Sequence, residues 1–395
     1  MGSPASWQNI GRHALLPEAR HDEIARLDVI AHLNAYVAER LGPKVREAWD
    51  NRASGDWRTR HGREAVDRYE VAEAMANEPA YQVYSLVRRN TMEYRQLVGR
   101  QIVGRQAETL RDRARALNAS GDTLRLDPAF RPPRYVSAVE QHLMRGGYTA
   151  ELLEDDVSNP ANYDAGLYAT IGGSGGPWSN AAGRALVDWL RREYPAFVPQ
   201  RILDLGCGLG HNTLPLREAF PRAQIVAIDA AAPMLRYGHA RARSLGVDDI
   251  EFVQGDAADT QLPSGSFDLV FTTMVLHETS RQALPKIFAE AHRLLRAGGL
   301  TIHLEQPTYR GLEPFEQFMR DWDGRFNNEP FWSALHESDL PAMLERVGFG
   351  RDEVFETRCV APAWQCSERQ EDFGRAPAWY AVGAWRAANG IAAIG

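Results

Sequence analysis

The sequence contains few cysteines, few lysines and no long apolar run. Its 395 residues include three cysteines, Cys207, Cys359 and Cys366, too few and too scattered for a disulfide framework or a structural zinc site. Only two of its 45 basic residues are lysines, a skew typical of coding bias rather than of function. No segment approaches the roughly 18 consecutive apolar residues of a membrane helix, and the first residues lack the layout of a secretory signal. We therefore expect a cytoplasmic globular protein that binds no metal and enters no membrane.

The charge balance disfavours a nucleic-acid partner. The formal net charge is −7, whereas proteins that bind polyanions present a broad basic surface. One segment departs from this balance, because residues 85–135 hold eleven arginines against five acids. A solvated or dimer-facing side of a helix explains this segment most simply. Nucleic-acid binding is the alternative, but aromatic residues are sparse there and no reader motif is present.

The texture of the sequence predicts three regions, which agrees with the two or three domains expected from the length. Residues 1–130 have the pattern of an all-helical unit that packs or dimerises. Residues 131–178 form a linker, whose glycines and aromatics suit either a mobile lid over a site or a plain tether. Residues 179–395 alternate between strand and helix patterns.

Helix signals are clear in the first region. Apolar residues recur at three- and four-residue spacing in residues 24–37 and again in residues 81–117. The glycine and proline of Leu41-Gly42-Pro43 predict the end of the first helix. Two glycines, Gly99 and Gly104, weaken the prediction of one unbroken second helix.

The third region predicts a doubly wound, mostly parallel Rossmann-like sheet. Five short apolar runs separated by helical segments are expected to form its strands. These runs are residues 202–205, 225–228, 250–253, 267–271 and 300–304. Ligands of such sheets bind outside the carboxyl ends of the strands, where the winding reverses. The loop after the first strand is therefore the expected binding site.

That loop carries glycines at alternate positions, Gly206, Gly208 and Gly210, which let the backbone approach a ligand closely. A dinucleotide fingerprint requires the order G-x-G-x-x-G, and here His211 stands where its last small residue is expected. This spacing disfavours a pyrophosphate on the following helix. Asp229 ends the second strand, nineteen residues after Gly210, where a carboxylate can accept both ribose hydroxyls.

The ordered set of motifs in residues 179–385 resembles the class I S-adenosylmethionine-dependent methyltransferases. The resemblance implies S-adenosyl-L-methionine as cofactor, S-adenosyl-L-homocysteine as product, and a seven-stranded sheet. It also implies that residues 355–361 and 379–385 supply the antiparallel pair that ends this sheet. The predicted cofactor-binding residues are Asp204, Gly206, Cys207, Gly208, Gly210, Asn212, Asp229, Ala230, Met234, Asp256, Ala257, Thr273 and Tyr168.

Several of these residues have a simpler explanation. Asp204 could only cap a turn, although an acid at the end of an apolar strand is costly unless it is paired. Asp256 could be a turn former. Cys207 could be a small loop residue, since nothing nearby indicates a nucleophile, and His211 is more typical of a capping residue than of a catalyst.

Methyl transfer requires alignment of the acceptor, exclusion of water and, for some acceptors, removal of a proton. His277, Glu305 and Tyr309 follow the fourth and fifth strands and are the predicted catalytic residues. Histidine has a pKa suited to a base near neutral pH, but His277 could equally form a structural hydrogen bond. The acids and aromatics of residues 318–332 suit a cationic ligand or simply pack on the core, and the core is the favoured interpretation.

The predicted function is in-line transfer of a methyl group to an N, O or S atom of a small-molecule metabolite. We expect a homodimer formed through the N-terminal helices. The alternative is a protein on the same fold that binds S-adenosylmethionine without transferring methyl, since the fold alone does not fix the function. Methylation of a protein side chain has less support, because no docking motif is present.

Overall fold

The computed structural model describes residues 6–173, 175–360 and 378–387. Three positions that figure in the sequence analysis, Ser174, Ala361 and Cys366, lie outside these ranges. No helix within them is long and apolar enough to cross a lipid bilayer.

Helices make up the chain before the sheet. They are α1 (His21–Tyr36), α2 (Gly42–Ala48), α3 (Ser54–His61), α4 (Arg68–Met75), α5 (Pro79–Gly104), α6 (Ala107–Asn118), α7 (Arg134–Ser137), α8 (Ser158–Thr170) and α9 (Ala181–Glu193). The break between α5 and α6 follows Gly104, one of the two glycines that weakened the prediction of a single helix.

The predicted helix end at Leu41-Gly42-Pro43 was wrong. Helical structure continues through a π-helical turn, Val37–Leu41, directly into α2. Pro43 lies in the first turn of α2, where a missing backbone N–H costs nothing. Leu41 and Val45 are buried in the same apolar cluster, which holds the chain on this path.

The described residues form one sheet of eight strands, all seven predicted strands and one more. They are β1 (Leu124–Arg125), β2 (Arg201–Leu205), β3 (Gln224–Asp229), β4 (Ile250–Gln254), β5 (Phe267–Thr273), β6 (Leu295–Glu305), β7 (Val354–Val360) and β8 (Ala378–Trp385). The additional strand, β1, lies within residues 1–130, which were expected to be all helical, and it pairs in parallel with β4.

The strand order is β1-β4-β3-β2-β5-β6-β8-β7. Strands β1 to β6 are parallel, whereas β8 runs antiparallel to β6 and β7. Because β3 and β4 lie on one side of β2 and β5 and β6 on the other, the winding reverses at β2. The sheet therefore presents its ligand crevice at the carboxyl end of β2, as the sequence predicts.

The remaining helices cover the sheet and extend it toward the N-terminal helices. They are α10 (Thr213–Ala219), α11 (Ala232–Ser244), α12 (Leu284–Leu294), α13 (Pro314–Arg320), α14 (Trp322–Phe326), α15 (Trp332–His336) and α16 (Leu340–Arg346). Apolar clusters fill the space on the two faces of the sheet. A third cluster joins α13 and α14 to α2, α4 and α5 through Phe315, Phe318 and Trp322. This packing supports the core interpretation of the aromatic insertion.

Candidate cofactor and acceptor site

A cavity of about 1440 Å³ lies at the carboxyl ends of the central strands. Its wall contains the predicted residues Gly206, Cys207, Gly208, Asn212, Asp229, Ala230, Met234, Ala257, Thr273 and His277. Six other predicted residues do not belong to this wall: Asp204, Gly210, Asp256, Glu305, Tyr309 and Tyr168. The part of the cavity beyond His277, called the chamber below, is bounded by α5, α8 and the segment after β6.

The glycine loop is fastened to the neighbouring strand. The backbone N–H groups of Gly206 and Cys207 both donate to the carbonyl of Ile228, at 2.8 and 2.9 Å. Gly206 has a φ of 75°, and a Cβ there would lie 2.8 Å from the side chain of Val275. Only glycine combines this backbone conformation with such close packing. Any larger residue at position 206 would therefore press against Val275 and displace the loop.

Asp229 lies opposite this loop and fits a ribose. One carboxylate oxygen accepts from the backbone N–H of Gly208 and the other from that of Ala231, each at 2.9 Å. Each oxygen keeps acceptor capacity for one ribose hydroxyl. Burial raises the pKa of Asp229 to about 6, against the opposing effect of these hydrogen bonds. The carboxylate is thus ionised at neutral pH.

Asp204 supports the loop from beneath rather than facing the cavity. Its Oδ2 accepts from the hydroxyl of Thr213 at 2.6 Å, and burial raises its pKa to about 7. Asp256 also faces elsewhere, since its Oδ1 accepts from the hydroxyl of Tyr135 and the backbone of Ala258. Neither of these two side chains lines the cavity.

Tyr168 and Gly210 are also absent from the cavity wall. The ring of Tyr168 is buried in the apolar cluster of the N-terminal segment and α1. Its helical neighbours Leu167, Thr170 and Ile171 face the cavity instead, because they lie on another side of α8. In this arrangement Tyr168 lies away from the cavity that its helical neighbours line.

His277 and Glu305 form a buried pair at the rear of the cavity. The Nδ1 atom of His277 lies 2.8 Å from Oε2 of Glu305, and the other carboxylate oxygen accepts from the backbone of Leu276 at 2.6 Å. Burial lowers the pKa of His277, but the Glu305 carboxylate outweighs it and brings the value to about 9. Only His277 lines the cavity, so Glu305 acts through it.

Tyr309 does not join this pair. Its hydroxyl donates to Oδ1 of Asp321 at 2.9 Å, and its ring lies against that of His336. Asp321 in turn pairs with Arg68 of the N-terminal helices. Two acids of the insertion thus bind arginines of the N-terminal helices, because Asp323, which lines the cavity, pairs with Arg88.

The sequence analysis missed a histidine held between two acids in the wall of the chamber. Nε2 of His142 lies 3.2 Å from Glu278 and its Nδ1 lies 2.7 Å from Glu329. Burial lowers the pKa of His142, but the two carboxylates raise it to about 10. The hydroxyl of Tyr148 donates to the same oxygen of Glu278 at 2.7 Å. An imidazolium that donates from both nitrogens satisfies this arrangement.

The position of His142 is strained, which is common at functional sites. His142 and Leu143 have φ values of 54° and 58°, in the left-handed region that glycine favours. Within the described ranges, His142, Glu278 and Glu329 are also the group close enough to share a metal ion. Both ring nitrogens already face carboxylates, so a protonated ring pairs with the two acids without a metal ion. Tyr148 and the adjacent glycines were the sequence features that could have indicated a functional role for this segment.

Comparisons with known proteins agree with this geometry. Residues 202–299 match a family profile described as "Methyltransferase domain". The chain is 33% identical over 174 residues to an uncharacterized methyltransferase of Synechocystis sp., covering 43% of this chain and 76% of that protein. It is 31% identical over 211 residues to trans-aconitate 2-methyltransferase of Acidovorax sp., covering 53% of this chain and 74% of that protein.

Solved structures are more distant. Phosphoethanolamine N-methyltransferase 2 of Haemonchus contortus matches with a TM-score of 0.36 and 17% identity, over 50% of this chain and 51% of that chain. A match this weak supports no conclusion. The family profile covers the glycine loop and the strands around it. On these similarities the chain belongs to the class I S-adenosylmethionine-dependent methyltransferases, and S-adenosylmethionine is its cofactor.

Proposed function

We propose that this enzyme transfers the methyl group to an N, O or S atom of a small-molecule metabolite held beyond His277. The observation that carries the proposal is the continuity of one cavity from Asp229 and the glycine loop to His277, Glu278 and Trp332. The walls of this cavity come from the sheet, the 131–178 segment and the N-terminal helices, and such a concave site suits a small acceptor. The relative named trans-aconitate 2-methyltransferase supports a small acceptor.

The cofactor is assigned to the part of the cavity over the loop. Gly206, Cys207 and Gly208 would hold its methionine part, Asp229 its ribose, and Met234 with the neighbouring alanines its adenine. When bound, the cofactor supplies a methyl carbon whose bond to the sulfonium sulfur breaks as the acceptor's lone pair attacks, leaving S-adenosylhomocysteine. Asp204 stays in the proposal as a residue that positions the loop.

His277 is the proposed base. Its Nδ1 is engaged by Glu305, so Nε2 is the nitrogen that can take a proton from the acceptor. Because Glu305 raises the pKa of His277 to about 9, only the fraction of enzyme with a neutral imidazole can act as the base, and this fraction grows as the pH rises toward 9. Glu305 orients the ring and stabilises the imidazolium that forms. Tyr309 has no part in this proposal, because its hydroxyl is committed to Asp321.

The 131–178 segment is the proposed cover of the acceptor chamber. His142, Tyr148 and Tyr163 belong to this segment and line the cavity. The contacts of His142 with Glu278 after β5 and Glu329 in the insertion join the cover to both sides of the chamber. A cover held in this way excludes water from the reacting atoms.

Incubation with methyl-labelled cofactor and an extract of host metabolites, followed by mass spectrometry, tests the proposal. We expect one or a few labelled small molecules, and a loss of labelling of at least about 100-fold in His277→Ala, typical of a lost general base. Phe355→Leu, on the far edge of the sheet, is the matched control and should label normally. Label found only in protein or nucleic acid, or no label at all, would contradict the proposal.

Two further proposals concern the assembly and its location. The N-terminal helices expose apolar side chains, among them Val29 at 51%, Tyr36 at 50% and Leu86 at 62%, which supports a homodimer through this unit. Light scattering on wild type and on Leu86→Glu tests it. A cytoplasmic location and the division into units of 1–130, 131–178 and 179–395 also remain proposals.

The absence of a nucleic-acid partner is proposed on similar grounds. Most arginines of the basic segment pair with acids of the protein itself, including Arg88 with Asp323 and Arg105 with Glu23. Paired guanidinium groups contribute little attraction for a polyanion. An unchanged electrophoretic mobility of duplex DNA and of RNA in the presence of the protein is the expected result.

A further inference from the structure

A buried arginine without an acidic partner lies in the wall of the chamber. Arg95 belongs to α5, is 6% exposed and lines the cavity. Within the described part of the chain no carboxylate pairs with it, and its Nη1 atom has no hydrogen-bond partner. Burial lowers the pKa of Arg95 to about 10, so the guanidinium keeps its charge at neutral pH.

Three other buried arginines among the described residues pair with acids. Arg68 contacts Asp321, Arg88 contacts Asp323, and Arg241 contacts Asp164. A buried charge is costly unless an opposite charge or strong hydrogen bonds compensate it. The protein offsets this cost at three positions, whereas at Arg95 it supplies only the nearby tyrosines Tyr148 and Tyr163.

We propose that Arg95 binds a carboxylate or similar anionic group of a ligand in this cavity. The proposal rests on the function proposed above for the same cavity. The planar guanidinium can donate two parallel hydrogen bonds to a carboxylate, which gives both affinity and orientation. The carboxylate has two sources, the methionine part of the cofactor and an anionic acceptor.

The surroundings of Arg95 are shaped for such a contact. It lies against Gly166 of α8, where a Cβ would fall 2.7 Å from Cδ and 2.8 Å from Nη1 of Arg95. One turn further along α8, Thr170 and Ile171 line the cavity together with the glycine loop. Glycine at position 166 thus leaves the space that the guanidinium occupies between the cofactor side and the acceptor side.

Calorimetric titration of wild type and Arg95→Met with two nucleosides tests the cofactor source. S-adenosylmethionine carries the methionine carboxylate and 5′-methylthioadenosine lacks it. If the cofactor supplies the carboxylate, Arg95→Met weakens the binding of S-adenosylmethionine by about 10- to 100-fold and leaves the binding of 5′-methylthioadenosine unchanged. Arg95→Lys keeps the charge but loses the two parallel hydrogen bonds, so its affinity for S-adenosylmethionine is expected to lie between those of wild type and Arg95→Met.

Titration of protein saturated with S-adenosylhomocysteine tests the acceptor source. Succinate and inorganic phosphate serve as the anionic probes. If the acceptor supplies the anion, wild type binds at least one probe, Arg95→Met binds it at least about tenfold more weakly, and cofactor affinity does not change.

Two controls separate ligand binding from a structural role. An arginine kept for a ligand stabilises nothing in the empty protein, so empty Arg95→Met should melt at the same temperature as wild type or higher. Gly166→Ala keeps the charge but displaces the flexible guanidinium. It should weaken the binding of the same ligand whose binding Arg95→Met weakens.

Three results would overturn the assignment of Arg95. They are a clear loss of melting temperature in empty Arg95→Met, equal losses for S-adenosylmethionine and 5′-methylthioadenosine, and unchanged binding of every probe. Wild type that fails to bind S-adenosylmethionine would instead remove the proposed function, and this assignment with it.

Discussion

Replacement of Asp229 by asparagine should cost most of the cofactor affinity while leaving the fold intact. The two carboxylate oxygens hold the backbone N–H groups of Gly208 and Ala231 and have acceptor capacity left for two ribose hydroxyls. Asparagine keeps one oxygen acceptor and turns the other into an amide that faces an N–H donor. At least one charge-assisted hydrogen bond to ribose is lost, and such a bond contributes about 1.5–3 kcal/mol.

That loss corresponds to a Kd for S-adenosylmethionine raised by about 10- to 100-fold, measured by calorimetric titration at pH 8. Asp256→Asn is the matched control, because Asp256 does not line the cavity and its Oδ1 accepts from Tyr135 and Ala258, and it should change the Kd less than about threefold. Since the pKa of Asp229 is raised to about 6, wild-type affinity should also be complete above that pH and fall below it. An Asp229→Asn protein that binds as tightly as wild type, or an Asp256→Asn protein that loses as much, would refute the placement of the ribose.

Three further outcomes are expected. Glu305→Gln should shift the titration of the His277 imidazole, followed by NMR, from about 9 toward lower pH, because the carboxylate raises this pKa; an unshifted titration contradicts the pairing. Burial disfavours the charge of Asp164, but His211, His13 and Arg241 hold its pKa well below the ordinary value, so its stabilisation is present at neutral pH and is lost as the pH falls below about 4. In urea unfolding, Asp164→Asn should therefore be less stable than wild type by about 3–5 kcal/mol at pH 7, and this difference should be smaller at pH 3.5. A difference of the same size at both pH values would contradict the network. Gly183→Ala should destabilise by about 1–3 kcal/mol despite the better helix propensity of alanine, because its Cβ would lie 2.5 Å from a backbone oxygen of Asn212. Gly104→Ala, whose Cβ meets nothing within 4 Å, is its control and should be neutral or stabilising.

The sheet and the glycine loop in the cavity wall were predictable because they depend on local sequence. Runs of β-branched and apolar residues fix the buried strands, and the glycines of the loop mark the turn after the first of them. The prediction failed at Gly42-Pro43, where turn residues lie inside a helical path that buried Leu41 and Val45 hold in place. It also missed β1, because a two-residue strand has no pattern of its own and forms only by pairing with β4.

The acceptor side could not be predicted, because its residues meet only in the folded chain. His142 precedes Glu278 by 136 residues and Asn327 by 185 residues along the chain, yet its ring contacts both side chains. Tyr309 was predicted to be catalytic from its place after β6, but its hydroxyl donates to Asp321 instead. Helix faces caused the other error, since Tyr168 and Leu167 are neighbours in sequence and only the latter lines the cavity.

A crystal structure of the protein with bound S-adenosylhomocysteine tests the central claim most directly. The account predicts both ribose hydroxyls at hydrogen-bond distance, about 2.7 Å, from the Asp229 carboxylate, and the sulfur facing the chamber that contains His277. A nucleoside bound elsewhere in the cavity, or one whose sulfur faces away from His277, would contradict it.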